Sequence, residues 1–228
     1  MDLLKFEKVI KIKFNNKDLL KQALVHRSYL NENPDFHLKD NERLEFLGDA
    51  ILEMVVTDYL YSNYPNPEGE LTNWRAALVN TKMLAKVAQQ LGINEYLFLS
   101  RGESKDTGRA RNYILANAFE ALIGAIYLDQ EYKKTQIFIE KQILSQLPEI
   151  IKEKLYQDPK SQFQEESQER VGFTPTYEVI KEWGPDHDKQ FVVGVYLDKE
   201  LIAQGQGSSK QEAQEKAAIA ALEEKNWN

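Results

Sequence analysis

Residues 114–128 read Ile-Leu-Ala-Asn-Ala-Phe-Glu-Ala-Leu-Ile-Gly-Ala-Ile-Tyr-Leu, an apolar run broken only by Asn117 and Glu120. A helix that is apolar nearly all round has no solvent face, so this one is predicted to lie at the centre of a packed domain. It is too short, and too interrupted by Glu120, to reach the roughly 20 apolar residues that cross a bilayer. A membrane protein is therefore excluded by the sequence reading.

The segments around this run also have helical period. Leu19, Leu20, Ala23 and Leu24 form one apolar stripe, and Leu44, Leu47, Ile51, Met54, Val55 and Leu60 form another. A third, Ala76, Ala77, Val79, Met83, Leu84, Val87 and Leu91, closes at Gly92, the residue expected just past a helix C-terminus. With the central run as the fourth, residues 137–147 make a fifth helical segment, stopped or kinked by Pro148.

Near residue 150 the pattern changes. Asp158-Pro159 is a helix start, with Asp as cap and Pro at the first position. Three β-like runs follow, Thr176–Trp183, Gln190–Leu197 and residues 201–206, separated by turn residues. Ser209-Lys210-Gln211-Glu212 then reads as a capping box opening an Ala-rich helix. The expected fold class is multidomain, an all-α domain over residues 1–152 followed by an αβββα, α+β domain over residues 158–228, with a linker at 153–157.

Charge and cysteine narrow the chemistry. The formal net charge is −7, and residues 157–228 carry 8 Lys+Arg against 14 Asp+Glu. That balance argues against a broad basic surface. The chain has no cysteine, so a disulfide scaffold, a thiolate metal site and a cysteine nucleophile are excluded. The first residues show no basic segment leading into an apolar core, so no secretory signal is expected and the cytoplasm is the expected compartment.

The stretch Asn41-Glu42-Arg43-Leu44-Glu45-Phe46-Leu47-Gly48-Asp49 concentrates the chemistry. Glu42, Glu45 and Asp49 stand at i, i+3 and i+7, on one face of a helix. Carboxylates sharing a face repel one another. They form either a solvated acidic surface or a site for a hard cation, which prefers oxygen ligands. Gly48 sits in mid-helix at a cost of about 1 kcal/mol, which suggests close approach of something to the backbone. Asn117 and Glu120, at i and i+3 in the apolar run, need polar partners. A shared metal ion and a buried hydrogen-bonded network with Arg43 or Arg75 both satisfy that need.

At these residues the sequence resembles the bacterial ribonuclease III family. The likeness runs through residues 41–50 and extends to Ala23-Leu24-Val25-His26-Arg27-Ser28-Tyr29, Glu68-Gly69-Glu70-Leu71, residues 75–79 and residues 114–125. The C-terminal unit looks like a double-stranded-RNA-binding domain. The resemblance implies Mg²⁺-dependent endonucleolytic hydrolysis of double-stranded RNA, with Mn²⁺ as a substitute. It implies 5′-phosphate products with short 3′ overhangs, and ribosomal, messenger and transfer RNA precursors as substrates. By position it makes Glu45, Asn117 and Glu120 metal ligands, and Asp49 and Glu120 the catalytic acid pair. Glu42 and Glu68 become acidic residues that support RNA engagement, and Glu103 helps hold its loop near RNA. It implies a homodimer in which Phe46 is a knob entering a socket on the partner; without the resemblance Phe46 reads as a core residue. His26 reads as a hydrogen-bonded structural residue.

In the second domain the resemblance places Ser161, Gln164 and Glu165 at a minor groove, His187 at the next, and Lys210 at phosphates beside the last helix's N-terminus. Two departures stand out. The family usually has Asp where this chain has Asn117, so the site has one charge fewer and a higher Mg²⁺ requirement is expected. The start of the last helix has Gln211, Glu212 and Gln214 where a basic cluster is usual, so weak RNA binding by this domain is expected. The rival reading is a non-catalytic double-stranded-RNA-binding protein with a weakened metal site, favoured by Asn117 alone.

Overall fold

The computed structural model describes residues 2–185 and 189–227. It divides into two compact units, Met1–Tyr156 and Gln157–Asn228. The first is helical: α1 (Leu3–Ile10), α2 (Lys17–Ala23), α3 (Arg27–Glu32), α4 (Glu42–Asn63), α5 (Glu68–Val79), α6 (Thr81–Gln90), α7 (Arg109–Gln142) and α8 (Leu147–Lys152). Among its described residues the one β feature is an isolated bridge between Val25 and Phe98.

The run at 114–128 is central, as its composition requires. Leu115, Ala118, Phe119, Leu122, Ile123 and Ile126 of α7 are buried, and α2, α4 and α6 pack around them. The closest packing is between α4 and α7. A β-carbon on Gly48 would stand 1.8 Å from the Glu120 carbonyl oxygen, and one on Gly124 would stand 2.2 Å from that of Leu44. Two glycines thus let the backbones of these helices touch, which is the close approach Gly48 suggested.

Three expectations are corrected. The third apolar stripe is two helices, because Asn80 breaks it with extended backbone (φ −71°, ψ 156°). Its side chain accepts from Met83 N–H at 2.9 Å and donates to the Ala77 carbonyl at 3.0 Å, satisfying both new helix ends. The segments expected at 114–128 and 137–147 are separate, because α7 is interrupted at Glu131 (φ 63°, ψ 178°), but the second stays helical with α7 only to Gln142. There Asp129 accepts from the N–H groups of Asn15 and Asn16 at 2.8 and 2.7 Å, so local polar groups turn to the loop after α1. Helix α7 ends at Gln142, ahead of Pro148, which lies in the first turn of α8. Residues 153–156, which the sequence reading assigns to a linker, stay with the first unit: the Tyr156 ring lies 6.1 Å from that of Trp74.

The second unit has the expected order: α9 (Pro159–Val171), β1 (Thr176–Trp183), β2 (Gln190–Leu197), β3 (Glu200–Gly207) and α10 (Lys210–Lys225). The sheet is antiparallel in the order β1-β2-β3, with Val195 opposite Tyr177 on one side and Ala203 on the other. Helix α10 lies so close to β3 that a β-carbon on Gly205 would meet Ala217 N at 2.2 Å. Phe163 stacks on Trp227 at 5.5 Å over a core of Val195, Ala217, Ala218 and Ala221. The capping box is half as expected: Ser209 Oγ accepts from Glu212 N–H at 3.1 Å, but the Glu212 carboxylate accepts from Ser208 N–H at 2.8 Å.

The helix contact makes a clear prediction. Gly48→Ala forces α4 from α7 and lowers stability by about 2–4 kcal/mol. Gly69→Ala, where an added methyl meets nothing within 4 Å, is neutral or stabilising by up to about 1 kcal/mol. Denaturant unfolding of the two variants checks the contrast.

Candidate active site

Helix α4 is anchored at its start. Asn41 is 3% exposed. Its N–H donates to the Val25 carbonyl at 2.9 Å and its amide to the Ala23 carbonyl at 3.1 Å. Those bonds pin the first turn of α4 to the chain just after α2. Leu44, Ile51 and Val55 then bury one side of the helix. Glu45 is half-buried beside α7, while Glu42 and Asp49 are exposed. The Gly48 contact sets Asn117 and Glu120 against this acidic face.

The result is a cleft of about 470 Å³ lined by Glu42, Glu45, Phe46, Asp49, Asn117 and Glu120, with His26, Arg27 and Asn41. Six residues singled out from the sequence therefore share one cavity. Glu68 does not join them within one chain. It lies on α5 in a second cavity of about 640 Å³ walled by Leu60, Tyr61, Tyr64 and Leu71, where it accepts from Thr72 Oγ1 at 2.9 Å. Phe46 is 80% exposed, so it is not a core residue.

His26, Arg27 and Asn41 line the cleft without having been read as part of it. Arg27 lies 3.4 Å from Glu42. The stretch 26–28 was noted in the sequence, but no spacing rule links it to Glu42. The structural role read for His26 holds: it caps α3, and its Nδ1 lies 2.8 Å from Ser28 Oγ. Burial pushes its pKa down, and nearby Glu103 opposes this. Glu103 sits in a loop tied back by Arg111, which donates to the Glu103 carbonyl at 2.7 Å.

The carboxylates raise one another's pKa. For Glu45 the main cause is burial, followed by Glu42 and Asp49, against a hydrogen bond from the Asn117 amide. Burial, then Asp49, Glu45 and Glu53, push Glu120 up to about 8. Such crowding is relieved by a cation. Among the described residues no three His, Asp or Glu side chains already stand clustered for a metal ion. The donor chemistry nonetheless fits a hard divalent ion: the oxygens of Glu45, Asp49, Glu120 and the Asn117 amide, with Glu42 at the rim, around one partly buried cleft.

A pH dependence follows. Folded Glu120 holds its proton up to about pH 8, whereas an unfolded Glu loses it near pH 4.3. The folded state binds more protons between those values, so stability falls as pH rises through that window. Chelated protein should lose melting temperature from pH 5 to 8, and Glu120→Gln should flatten that slope. Thermal melts in EDTA across this range check it.

In the second unit, Ser161 donates its hydroxyl to Asp158 at 2.8 Å, and Gln164 and Glu165 are exposed beside it on α9. Lys210 sits at the start of α10 with its ammonium 5.8 Å from the Phe191 ring centre. His187 lies outside the described residues. Among the described residues, four of this unit's eight bases are paired with its own carboxylates: Arg170–Glu166, Lys189–Glu182, Lys216–Glu212 and Lys225–Glu200.

Comparison with known proteins accounts for both units. Residues 16–147 match the family model described as Ribonuclease-III-like, and residues 159–225 match the Double-stranded RNA binding motif. The chain is 44% identical over 218 residues to Ribonuclease 3 of a Nitratiruptor species, covering 95% of this chain and 94% of the relative. It is also 44% identical over 213 residues to Ribonuclease 3 of Enterococcus faecalis, covering 92% of each. The nuclease domain of ribonuclease III from Campylobacter jejuni, described for flexibility in a region involved in dimer formation, is structurally similar. It has a TM-score of 0.56 and 37% identity, with 63% of this chain and 99% of that one covered. No described helix is long and apolar enough to cross a membrane. With its acidic cleft between two helices and its αβββα unit, the chain belongs to the ribonuclease III family of endoribonucleases and carries a double-stranded-RNA-binding domain.

Proposed function

We propose that the protein is a homodimeric, Mg²⁺-dependent nuclease that cuts duplex RNA in the Glu45–Asp49–Asn117–Glu120 cleft. The observation that carries this reading is the convergence of those four side chains, from two helices, on one cavity. Glu45, Asn117 and Glu120 hold the cation, with Mn²⁺ as a substitute. When bound, the cation neutralises charge developing on the phosphate and makes water a better nucleophile.

This chain's residues do the rest. Asp49, at the open side of the cleft, and Glu120 form the catalytic pair that orients the attacking water and takes up its proton. Glu42 steadies the rim through Arg27. No side-chain nucleophile is involved, in keeping with a chain that has no cysteine. The products are 5′-phosphates with short 3′ overhangs. The substrates are ribosomal RNA precursors and some messenger and transfer RNA precursors, met in the cytoplasm.

Cutting both strands needs two sites, which a twofold dimer supplies. The exposed Phe46 on the cleft rim supports that assembly. The aromatic-walled cavity beside Glu68 is the natural socket, since it is roomy and unfilled by the chain's own side chains. Glu68 then serves the site of the other protomer, which explains its distance from its own cleft. Each protomer's nuclease and RNA-binding domains are joined at about Gln157.

The second domain reads duplex RNA by shape, over about 16 base pairs. Ser161, Gln164 and Glu165 of α9 and His187 face minor grooves, and Lys210 meets phosphates. Because half of its bases already have acidic partners, few phosphates are neutralised. The slope of log affinity against log salt for this domain is expected between about −1 and −3, and one steeper than about −5 contradicts it.

The decisive test is cleavage of a perfect RNA duplex across Mg²⁺ concentrations. Wild type is expected to cleave. Asn117→Asp should lower the Mg²⁺ needed for half-maximal rate, by about tenfold for one added ligand charge. Glu120→Gln should abolish cleavage while leaving duplex binding. Binding without cleavage by wild type at any Mg²⁺ or Mn²⁺ concentration would establish a non-catalytic RNA-binding protein instead.

A further inference from the structure

The proposed cleft is walled mainly by acids, which repel a phosphodiester. An RNA backbone entering it needs hydrogen-bond donors, and several of those nearby already point at protein oxygens. The Asn117 amide bonds Glu45, the Asn41 amide bonds the Ala23 carbonyl at 3.1 Å, and Arg27 turns one of its five N–H donors to Glu42 at 3.4 Å. His26 remains.

Its geometry fixes where its proton sits. Ser28 N–H donates to His26 Nδ1 at 3.4 Å. Ser28 Oγ lies 2.8 Å from the same nitrogen and accepts from Ser100 N–H at 3.1 Å, so its own hydrogen is free to point at Nδ1. With the Ser28 N–H donating to it and the Ser28 hydroxyl hydrogen able to turn to it, Nδ1 is an acceptor and the neutral ring carries its hydrogen on Nε2. Nε2 has no protein partner among the described residues, and the ring lines the cleft. With a hydrogen there, the ring offers no lone pair from Nε2 to a cation, so it acts as a donor and not as a metal ligand. Being uncharged, it is not drawn onto Glu42 as Arg27 is.

We propose that His26 is an RNA-contacting residue whose Nε2–H donates to a non-bridging phosphate oxygen of the duplex in the acidic cleft. Ser28 is its positioning residue, fixing the tautomer. The same hydroxyl ties the ring to the polar loop: Ser100 Oγ accepts from Glu103 N–H at 3.2 Å, and Arg111 holds the Glu103 carbonyl. The inference rests on the duplex-cleavage reading above.

The test uses the full-length protein. In His26→Asn the amide oxygen takes the place of Nδ1 and keeps the cap and the Ser28 bond, but no donor reaches the Nε2 position. Its melting temperature should match wild type while kcat/KM falls about tenfold to a hundredfold, the range for a hydrogen bond to a charged group. Ser28→Ala should reduce kcat/KM less, and the double variant should be no worse than His26→Asn, because Ser28 acts through the ring. Imidazole ¹⁵N spectra should show the Nε2–H tautomer in the free protein. Adding a short RNA duplex in EDTA should shift Nε2. Wild-type cleavage by His26→Asn, additive losses in the double variant, an Nδ1–H tautomer or an Nε2 signal indifferent to RNA each overturns the proposal. Failure of wild type itself to cleave would instead count against the activity reading, and the RNA titration would still decide whether His26 touches the duplex.

Discussion

The backbone contact between α4 and α7 at Gly48 and Gly124 is the constraint on which the rest depends. Helices with ordinary side chains at the contact stand about 8–10 Å apart. Here two absent β-carbons bring carbonyl oxygens against the opposite helix. Only at that range do side chains from one helix at 45 and 49 share a cavity with those from the other at 117 and 120. The two helices are also the most thoroughly packed in the first unit, with Leu52, Val55 and Val56 on one and Leu115, Phe119 and Leu122 on the other fully or nearly buried. The acidic groups are therefore mounted on rigid elements. Their mutual repulsion cannot be relieved by the helices drifting apart, because the core holds them.

That arrangement gives Asn117 a meaning beyond a lost charge. Its amide hydrogen-bonds Glu45 and opposes the burial and repulsion that raise that group. An Asp there could not donate in its ionised form, and it would add a fifth carboxylate to a cleft in which Glu120 already holds a proton to about pH 8. The amide makes the cation-free cleft less self-repelling. The same substitution leaves less charge to attract a cation. Stability of the empty site and affinity for the ion move in opposite directions, and Asn117 sits on the side of stability.

Much of this was legible in residue spacing. The central burial of 114–128, the shared face of Glu42, Glu45 and Asp49, and the close approach at Gly48 all follow from helical period and side-chain size. What period cannot show is where polar groups redirect the backbone. Asn80 splits one apolar stripe into two helices by bonding both ends, and Asp129 diverts the chain at Glu131 by bonding a loop more than a hundred residues away. Long-range bonds of that kind have no local signature. The same limit hid His26, which reaches the cleft because residues 25–26 pair with Phe98 and Asn41. Glu68 shows the converse: its residue type matched the site, but its helix faces another cavity.

The second unit sets shape against charge. The N-terminus of α10 is a position where a phosphate would gain from free N–H groups and the helix dipole. In this chain the Glu212 carboxylate already occupies the turn before it, accepting from the N–H and hydroxyl of Ser208 and pairing with Lys216 at 2.8 Å. Those bonds, led by the one from Lys216, hold its pKa down at about 2, so it stays ionised at any physiological pH. A phosphate approaching Lys210 therefore meets a fixed negative charge beside it. Under the proposed reading this unit draws little from counterion release and must rely on hydroxyl and amide contacts along α9, such as Ser161 and Gln164. Contacts of that kind depend on the groove geometry of an A-form duplex. Under that reading, a domain so built discriminates duplex RNA from other polyanions better than it holds on to it.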